Sequence, residues 1–282
     1  MGAVTDWSDV LANDFYVPSD RPVLELADEL CAMLGSPDPE VRDDTAFPVL
    51  AYWVSRGALD GQLAEVGDRL VALVSDGPIF QRSFAAISLT WVVLRDAKTG
   101  ELGSQAVLGW LEGFSRWWRS ESDLRPWDQK LGWLHAPAHG ADLLRAFGRS
   151  PKLGQAELAG LLELAVERLL VDQGYLYGND EDDRIAYALA TVLVRPELSV
   201  ADSVGWVGRL HDGIAGGEPG PVPPWAANAL RTLAALYIFA DRGVSWFDPA
   251  TNSTGPAVRL PHAAEVKNRL AETLRLPWSG LG

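Results

Sequence analysis

The stretch that decides the fold runs from Pro22 to Trp53 and reads PVLELADELCAMLGSPDPEVRDDTAFPVLAYW. Its first part places apolar residues at positions 23, 26, 27, 30 and 34, the three-and-four spacing of one helical face. Proline ends that helix, and Asp38 is placed to cap the next one, with Pro39 in its first turn. The stretch therefore predicts two helices joined by a short break, the second ending near Gly57.

The same alternation of helical periodicity and Pro/Gly/Asp breaks continues along the chain. It predicts further helices over residues 63–74, 79–94, 104–118, 130–147, 156–171, 180–194, 200–214, 225–240 and 262–274. The helices fall into pairs whose irregular spacing centres on the 40–47 residues of HEAT-like repeats. We expect an all-α fold, a HEAT- or armadillo-like α-solenoid of about five helix pairs plus a terminal helix. A compact bundle or toroid also buries one stripe per helix and stays open as an alternative.

Composition supports one large folded domain. The chain is 48% hydrophobic and 22% charged, which suffices for a sizeable core. No linker long enough to separate two domains interrupts the helical pattern. We expect a single helical-repeat domain over residues 1–282, with residues 1–20 as an N-terminal extension.

Charge and cysteine content restrict the partners and the compartment. A formal net charge of −14 argues against nucleic acid and against an anionic membrane surface, because both require a basic face. Cys31 is the single cysteine, which is typical of a reducing compartment. No basic leader with an apolar stretch and no run of about 18 apolar residues is present. We therefore expect a cytoplasmic protein, and scarce lysine beside abundant arginine and alanine indicates a bacterial one.

Polar residues collect in the first halves of the predicted second helices. The second helices of a solenoid line one surface that is often used for binding. This placement selects five candidate ligand-binding residues, Arg42, Asp43, Arg82, Glu181 and Arg184. Helix capping and ion pairs between repeats are the more ordinary interpretation of any single acid in this set.

The densest polar cluster spans residues 121–142 and reads ESDLRPWDQKLGWLHAPAHGAD. On the helix predicted over residues 130–147, His135, His139 and Asp142 share one face. We expect these three to face a cleft while Trp133, Leu144 and Phe147 face the core, because the opposite rotation would expose large apolar groups. This orientation predicts that replacing His139 with alanine leaves stability nearly unchanged.

Three interpretations compete for this cluster. His135, His139 and Asp142 have side chains and spacing that permit a metal site, although Ala136 stands where a zincin-type helix carries its glutamate. Alternatively, His135 or His139 acts as a general acid or base. In the third interpretation, which we favour, both histidines are buried, hydrogen-bonded core groups. We expect no metal and no cofactor.

Aromatic residues add a chemical bias to the cluster. The chain has 12 tryptophans, and indole rings stack on organic ligands or cations, although they pack between helices more often. An acidic, tryptophan-rich cleft suits a cationic or aromatic molecule better than an anion. The predicted cleft is completed by Glu121, Asp123, Arg125 and Trp133.

Five segments carry a resemblance to a known family, and they are Arg42-Asp43, Phe80-Gln81-Arg82-Ser83-Phe84, Glu121-x-Asp123-x-Arg125, Lys130-x-Gly132-Trp133-x-His135-x-x-Ala138-His139-Gly140-Ala141-Asp142-Leu143-Leu144 and Glu181-Asp182-Asp183-Arg184. They resemble the bacterial proteins called domain of unknown function 2785. The resemblance covers about residues 25–240, implies a helical protein and implies no established activity. Pro126 departs from it, since the resemblance leads us to expect glycine after Arg125.

Two functions are compatible with these residues. The first is a cytoplasmic helical-repeat protein whose polar, Trp-lined cleft binds a small organic ligand, with acid/base chemistry at His135 or His139. The alternative is a non-enzymatic scaffold that binds a protein or peptide on its concave face. A ligand pocket requires a closed cleft with few polar groups, whereas a scaffold requires a long open groove.

Overall fold

The computed structural model describes residues 5–218, 220–248 and 251–277, which are mostly helical, as the sequence predicts. No helix within these ranges is both long enough and apolar enough to cross a membrane. The elements in chain order are α1 (Trp7–Ala12), α2 (Val23–Met33), α3 (Pro39–Val41), a π-helical turn (Arg42–Ala46), α4 (Phe47–Arg56), α5 (Leu63–Ser75), α6 (Ile79–Thr99), α7 (Ser104–Ser120), β1 (Trp127–Asp128), β2 (Gly132–Trp133), α8 (Ala136–Arg149), α9 (Gln155–Leu169), α10 (Glu181–Leu193), α11 (Val200–Gly205), α12 (Val207–Ala215), α13 (Pro224–Arg242), β3 (Phe247–Asp248), β4 (Ser253–Thr254) and α14 (Ala263–Leu274).

The chain divides into two compact units, and the prediction of one domain over the whole chain stays a prediction. The first unit comprises Met1–Trp117 and Arg125–Leu143, and the second comprises Trp118–Leu124 and Leu144–Gly282. In the first unit α2 packs against α4 and α5, and α6 packs against the same two helices. The apolar faces of these helices meet in a core that includes Leu26, Leu50, Trp53 and Leu70.

The second unit is built from the helices α9 to α14. There α9 packs against α10 and α12, α13 packs against α10, and α14 lies on α12 and α13. The strands β3 and β4 form a two-residue antiparallel hairpin in this unit, with Phe247 opposite Thr254.

Apolar periodicity locates most helices within two residues of their observed ends, as for α2, α5, α9, α10 and α14. Two differences have local causes. The helix predicted over residues 200–214 is interrupted at Trp206, whose indole N–H donates to the carbonyl of Ser203. The helix that starts at Ile79 continues to Thr99, where Gly100 ends it in a left-handed conformation.

The residues predicted to form an N-terminal extension contain α1, which packs within the first unit. The carboxylate of Asp6 caps α1, and the indole N–H of Trp7 donates to Glu29 at 2.8 Å. The indole N–H of Trp53 donates to the carbonyl of Phe15 at 2.7 Å. These hydrogen bonds join α1 and the segment after it to α2 and α4.

Cys31 lies in the core of the first unit. Burial raises the pKa of its thiol to about 12, because the interior disfavours the thiolate. The reactive thiolate is therefore scarce at neutral pH, as expected for a core cysteine.

Candidate functional site

Two exposed tryptophans lie on the β1–β2 hairpin of the first unit. Trp127 pairs with Trp133 across the hairpin, and Asp128 pairs with Gly132. The carboxylate of Asp128 accepts hydrogen bonds from the backbone N–H groups of Lys130 and Leu131, at 2.9 and 3.2 Å, which lower its pKa. Loop closure therefore depends on one aspartate and one glycine at the ends of a three-residue turn.

The helix predicted over residues 130–147 is wrong at its start, because α8 begins only at Ala136. Gly132 has a φ of +71°, which a right-handed helix excludes, and its neighbour Trp133 belongs to a strand. Pro137 lies in the first turn of α8, where its missing N–H removes no helical hydrogen bond. His135 therefore precedes the helix that carries His139 and Asp142, and the three do not share one helical face.

His135 connects the hairpin to α8 in an uncommon backbone conformation, with a φ of +47°. Its N–H donates to the carbonyl of Pro126 at 3.2 Å, and its own carbonyl accepts from the N–H of His139 at 2.9 Å. Its imidazole stacks on the Trp133 indole, with ring centroids 4.2 Å apart and planes 5° apart. Strained backbone of this kind costs about 1–3 kcal/mol and concentrates at functional sites.

His139 lies behind His135, at a centroid distance of 5.5 Å. Its Nδ1 shares a 2.9 Å hydrogen bond with the hydroxyl of Ser83. The His139 and Phe84 rings pack edge to face, with their centroids 5.0 Å apart. The hydroxyl of Ser83 orients the imidazole through this hydrogen bond. Because Ser83 is fully buried, its hydroxyl cannot act as a nucleophile on a ligand that enters from solvent.

The cleft-facing orientation predicted for this cluster is therefore reversed for three residues, whereas the burial expected if both histidines are core groups is confirmed. His135 and His139 are buried, with 9% and 7% of their surface exposed, and Trp133 is 39% exposed. Leu144 and Phe147 are buried as predicted. The hairpin explains the reversal of Trp133 and His135, which precede α8. His139 lies on α8 and is buried against Ser83 and Phe84.

Arg42 anchors the hairpin from the π-helical turn. Its fully buried guanidinium donates to the carbonyls of Ser36 (2.9 Å), Leu131 (2.5 Å) and Trp133 (3.3 Å). The same group lies 4.8 Å above the centroid of the Phe84 ring, within cation–π range. One side chain of the π-helical turn thus holds the backbone on both sides of Gly132. Such turns are rare and often occur at functional sites.

Asp43 neutralises Arg42 and lies against the hairpin. Its carboxylate is 2.6 Å from the Nε of Arg42 and accepts the N–H of Trp133. Partial burial raises the pKa of Asp43, and the neighbouring charge of Arg42 opposes that increase. Arg42 and Asp43, predicted to contact a ligand, therefore contact the hairpin backbone.

Gly132 also permits a close approach between the hairpin and α3. A Cβ at this position would lie 3.0 Å from the Cβ of Pro39 and 3.5 Å from Oδ2 of Asp43. Any side chain here would strain the backbone and push the hairpin from the π-helical turn.

We expect Gly132→Ala to lower the free energy of unfolding by about 1–3 kcal/mol more than Gly100→Ala does. Both glycines have a positive φ, +71° and +68°, but a Cβ at position 100 meets open space. Urea unfolding of the two variants measures the difference. Equal losses in the free energy of unfolding would show that only the positive φ is costly and that Pro39 moves aside to accommodate the added Cβ.

The remaining predicted residues occupy different surroundings. Arg82 donates to the carbonyl of Gly77 at 2.5 Å, before its own helix α6. Arg125 pairs with Asp128 at 2.8 Å on the hairpin, and Asp142 is half-buried on α8. Four residues of the predicted cleft belong to the second unit, namely Glu121, Asp123, Glu181 and Arg184.

The two candidate glutamates in the second unit accept hydrogen bonds from the backbone of their own loops. Glu121 is buried and accepts the N–H of Asp123 at 3.0 Å. Glu181 is fully buried and accepts the N–H groups of Gly178 (3.0 Å) and Asn179 (2.8 Å). Glu121 therefore holds the backbone that follows it, and Oε2 of Glu181 holds the backbone that precedes it.

The candidate residues chosen from the sequence leave out Trp127 and Ser83, although Trp127 belongs to the cluster at residues 121–142 and Ser83 to one of the segments that resemble the family. The signal for Trp127 is the pattern Trp-Asp-x-x-x-Gly-Trp, in which glycine follows a three-residue turn. Ser83 is brought to His139 from a position 56 residues away, and no local pattern marks it. Nowhere in residues 5–218, 220–248 and 251–277 do three or more His, Cys, Asp or Glu side chains group so as to hold a metal ion.

Comparison with known proteins gives one family. Searches of curated proteins and of solved structures found no significant match. The family model described as "Protein of unknown function (DUF2785)" matches residues 74–238, more than half of the 282-residue chain. The match includes α6, the hairpin and α8, whereas Arg42 and Asp43, which the resemblance noted in the sequence included, lie outside it. The chain therefore belongs to the DUF2785 family of proteins of unknown function.

Proposed function

We propose that this protein binds a small organic molecule on the exposed surface of Trp127 and Trp133. These two indoles, with the His135 ring stacked on Trp133, are called the indole platform below. The observation that carries the proposal is that Trp127 is 51% and Trp133 39% exposed, although each makes ordered ring contacts. Large indoles are usually well buried, and exposed ones are common in recognition surfaces.

The rigidity of the indole platform supports binding. The two indoles pack edge to face, with their ring centroids 4.9 Å apart, and the guanidinium of Arg42 donates a hydrogen bond to the carbonyl of Trp133. Asp128 closes the turn between the strands. A surface that is already ordered loses little conformational entropy when a ligand binds, so more of the contact energy appears as affinity.

Acid/base chemistry at this site would use the histidines behind the indoles. In this proposal His135 is the acid or base, because its ring lies directly against Trp133. His139 orients the arrangement through its hydrogen bond to Ser83. Arg42 and Asp43 are positioning residues, because they hold the backbone of the hairpin and not the ligand.

We also propose that the helices form a HEAT-like α-solenoid and that the protein is cytoplasmic. Within each unit, first helices pack on first helices and second on second, as α2 on α5 with α4 on α6, and α9 on α12 with α10 on α13. This pattern is typical of stacked helix pairs and supports a HEAT-like α-solenoid.

The acidic composition and the single buried cysteine support a cytoplasmic location.

A fragment screen by ligand-observed NMR tests the proposed function. The probes are neutral heteroaromatic and organic-cation fragments, and the variants are Trp127→Ala and Trp133→Ala, checked for folding by circular dichroism. The matched control is Phe247→Ala, which removes an exposed aromatic ring from the β3–β4 hairpin. We expect fragments that bind the parent and the control protein but lose binding in both tryptophan variants.

Two results would contradict the proposal. Fragments that bind all four proteins equally would place binding elsewhere on the chain. A parent protein that binds no fragment would favour the alternative of a scaffold for a protein or peptide.

A further inference from the structure

The shape of the indole platform favours one class of ligand. The ring planes of Trp127 and Trp133 are 78° apart, so the two indoles form the walls of a corner. One face of Trp133 is already occupied by the parallel ring of His135. A flat aromatic ligand stacks on one wall and meets the other only with its edge, whereas a compact tetrahedral group in the corner packs against the faces of both. We propose that the ligand presents an organic ammonium group to this corner, an inference that rests on the proposed function.

Indole chemistry supports a cation at this position. The negative face of an aromatic ring attracts a cation within about 6 Å of its centroid, and tryptophan is the strongest partner among the aromatic residues. With the two ring centroids only 4.9 Å apart, one ammonium group reaches both rings within that distance. Methylated ammonium groups are recognised by aromatic walls in this way.

The charge around the platform has the complementary sign. Residues 38–44 include the first three residues of the π-helical turn and contact the hairpin at Gly132. Together with the hairpin, residues 125–133, they carry five acidic and three basic side chains. Two of those bases are already paired, Arg42 with Asp43 and Arg125 with Asp128. The exposed base on the turn is Lys130, and exposed acids include Glu40 and Asp44. The chain as a whole has a net charge of −14, so its long-range field also attracts cations.

The experiment compares choline with 3,3-dimethylbutan-1-ol, in which a carbon atom replaces the charged nitrogen. Both affinities are measured by titration of the full chain, followed by the indole N–H signals in NMR. We expect choline to bind about 2- to 30-fold more tightly than the neutral alcohol, the ratio that a cation–π contribution produces. The preference should fall when the salt concentration is raised, because part of the attraction comes from exposed charges.

Variants assign the preference to the corner. Trp127→Leu keeps an apolar side chain but removes the aromatic face, and it should abolish the preference for choline. Phe247→Leu makes the same kind of change on the exposed β3–β4 hairpin and should leave the preference intact. Asp44→Asn removes an exposed acid of the π-helical turn and should reduce the preference at low salt.

The outcomes separate this inference from the proposed function. Equal affinities for choline and the alcohol would overturn the ammonium inference alone, provided that the tryptophan variants still fail to bind the aromatic fragments that the parent protein binds. Binding of both choline and aromatic fragments that is indifferent to Trp127 would overturn both proposals. A preference for choline that survives in Trp127→Leu would place the cation site elsewhere and overturn the assignment made here.

Discussion

Replacing Arg42 with methionine is expected to lower the free energy of unfolding by about 3–5 kcal/mol, the loss typical of breaking a buried ion pair from one side. Methionine fills much of the same volume, so the loss reflects charge and hydrogen bonds. The carboxylate of Asp43 loses its cation, and the carbonyls of Ser36, Leu131 and Trp133 lose a donor. Urea unfolding followed by far-UV circular dichroism measures the change.

A matched substitution and a rescue make this prediction specific. Arg125→Met removes a half-exposed arginine from the same hairpin and should cost about 1 kcal/mol or less, because exposed ion pairs contribute little. Adding Asp43→Asn to Arg42→Met removes the stranded charge and should recover part of the loss. Equal losses in Arg42→Met and Arg125→Met would show that Arg42 does not anchor the hairpin.

The pH dependence of the Arg42→Met loss has a defined sign. Burial raises the pKa of Asp43 in the folded protein, and removing Arg42 should raise it further. A carboxyl whose folded pKa exceeds its unfolded value destabilises the fold when it is charged, and that penalty disappears as the pH falls through the folded pKa. The difference between Arg42→Met and the parent protein should therefore be smaller in acid than at neutral pH.

Replacing His139 with alanine is expected to lower the free energy of unfolding by about 2–4 kcal/mol, contrary to the near-neutral effect that its predicted cleft-facing position implies. The buried hydroxyl of Ser83 loses its partner, and a cavity opens beside Phe84. Leu144→Ala, a cavity at a fully apolar site, should cost about 2–5 kcal/mol and serves as the reference.

A double-mutant cycle assigns part of the His139 effect to its hydrogen bond. Ser83→Ala alone, His139→Ala alone and the double variant should show a coupling of about 0.5–3 kcal/mol, because the two residues are in direct contact. A loss below about 0.5 kcal/mol in His139→Ala, beside the full loss in Leu144→Ala, would restore the cleft-facing orientation for His139.

Local sequence patterns were sufficient to predict most of the helices. The apolar spacing of α2 and α5 depends only on residues within the helix itself, so those helices could be predicted from the sequence with their ends. Asp38 and Pro39 marked the start of α3 correctly, because capping is also a local interaction. The π-helical form of Arg42–Ala46 carried no such signal.

The candidate site could be located but not assembled from the sequence. The cluster at residues 121–142 contains Trp127, Trp133 and both histidines, so the segment selected from the sequence is the one that carries the proposed indole platform. Its conformation was wrong because the apolar spacing after Lys130 imitates a helix, whereas Gly132 bends the chain into a hairpin. The local pattern also gave no sign that Ser83 would reach His139.

The sequence by itself determined the helical class, the position of most helices and the segment that holds the indole platform, since periodicity, caps and breaks act over a few residues. Only the tertiary structure decided which side chains of that segment are exposed. Arg42 donates to the carbonyl of Leu131, 89 residues further along the chain, and this contact fixes the hairpin that turns Trp133 outward and His135 inward. A pairing over that distance depends on how α3, the π-helical turn and the hairpin pack together, which no local pattern encodes.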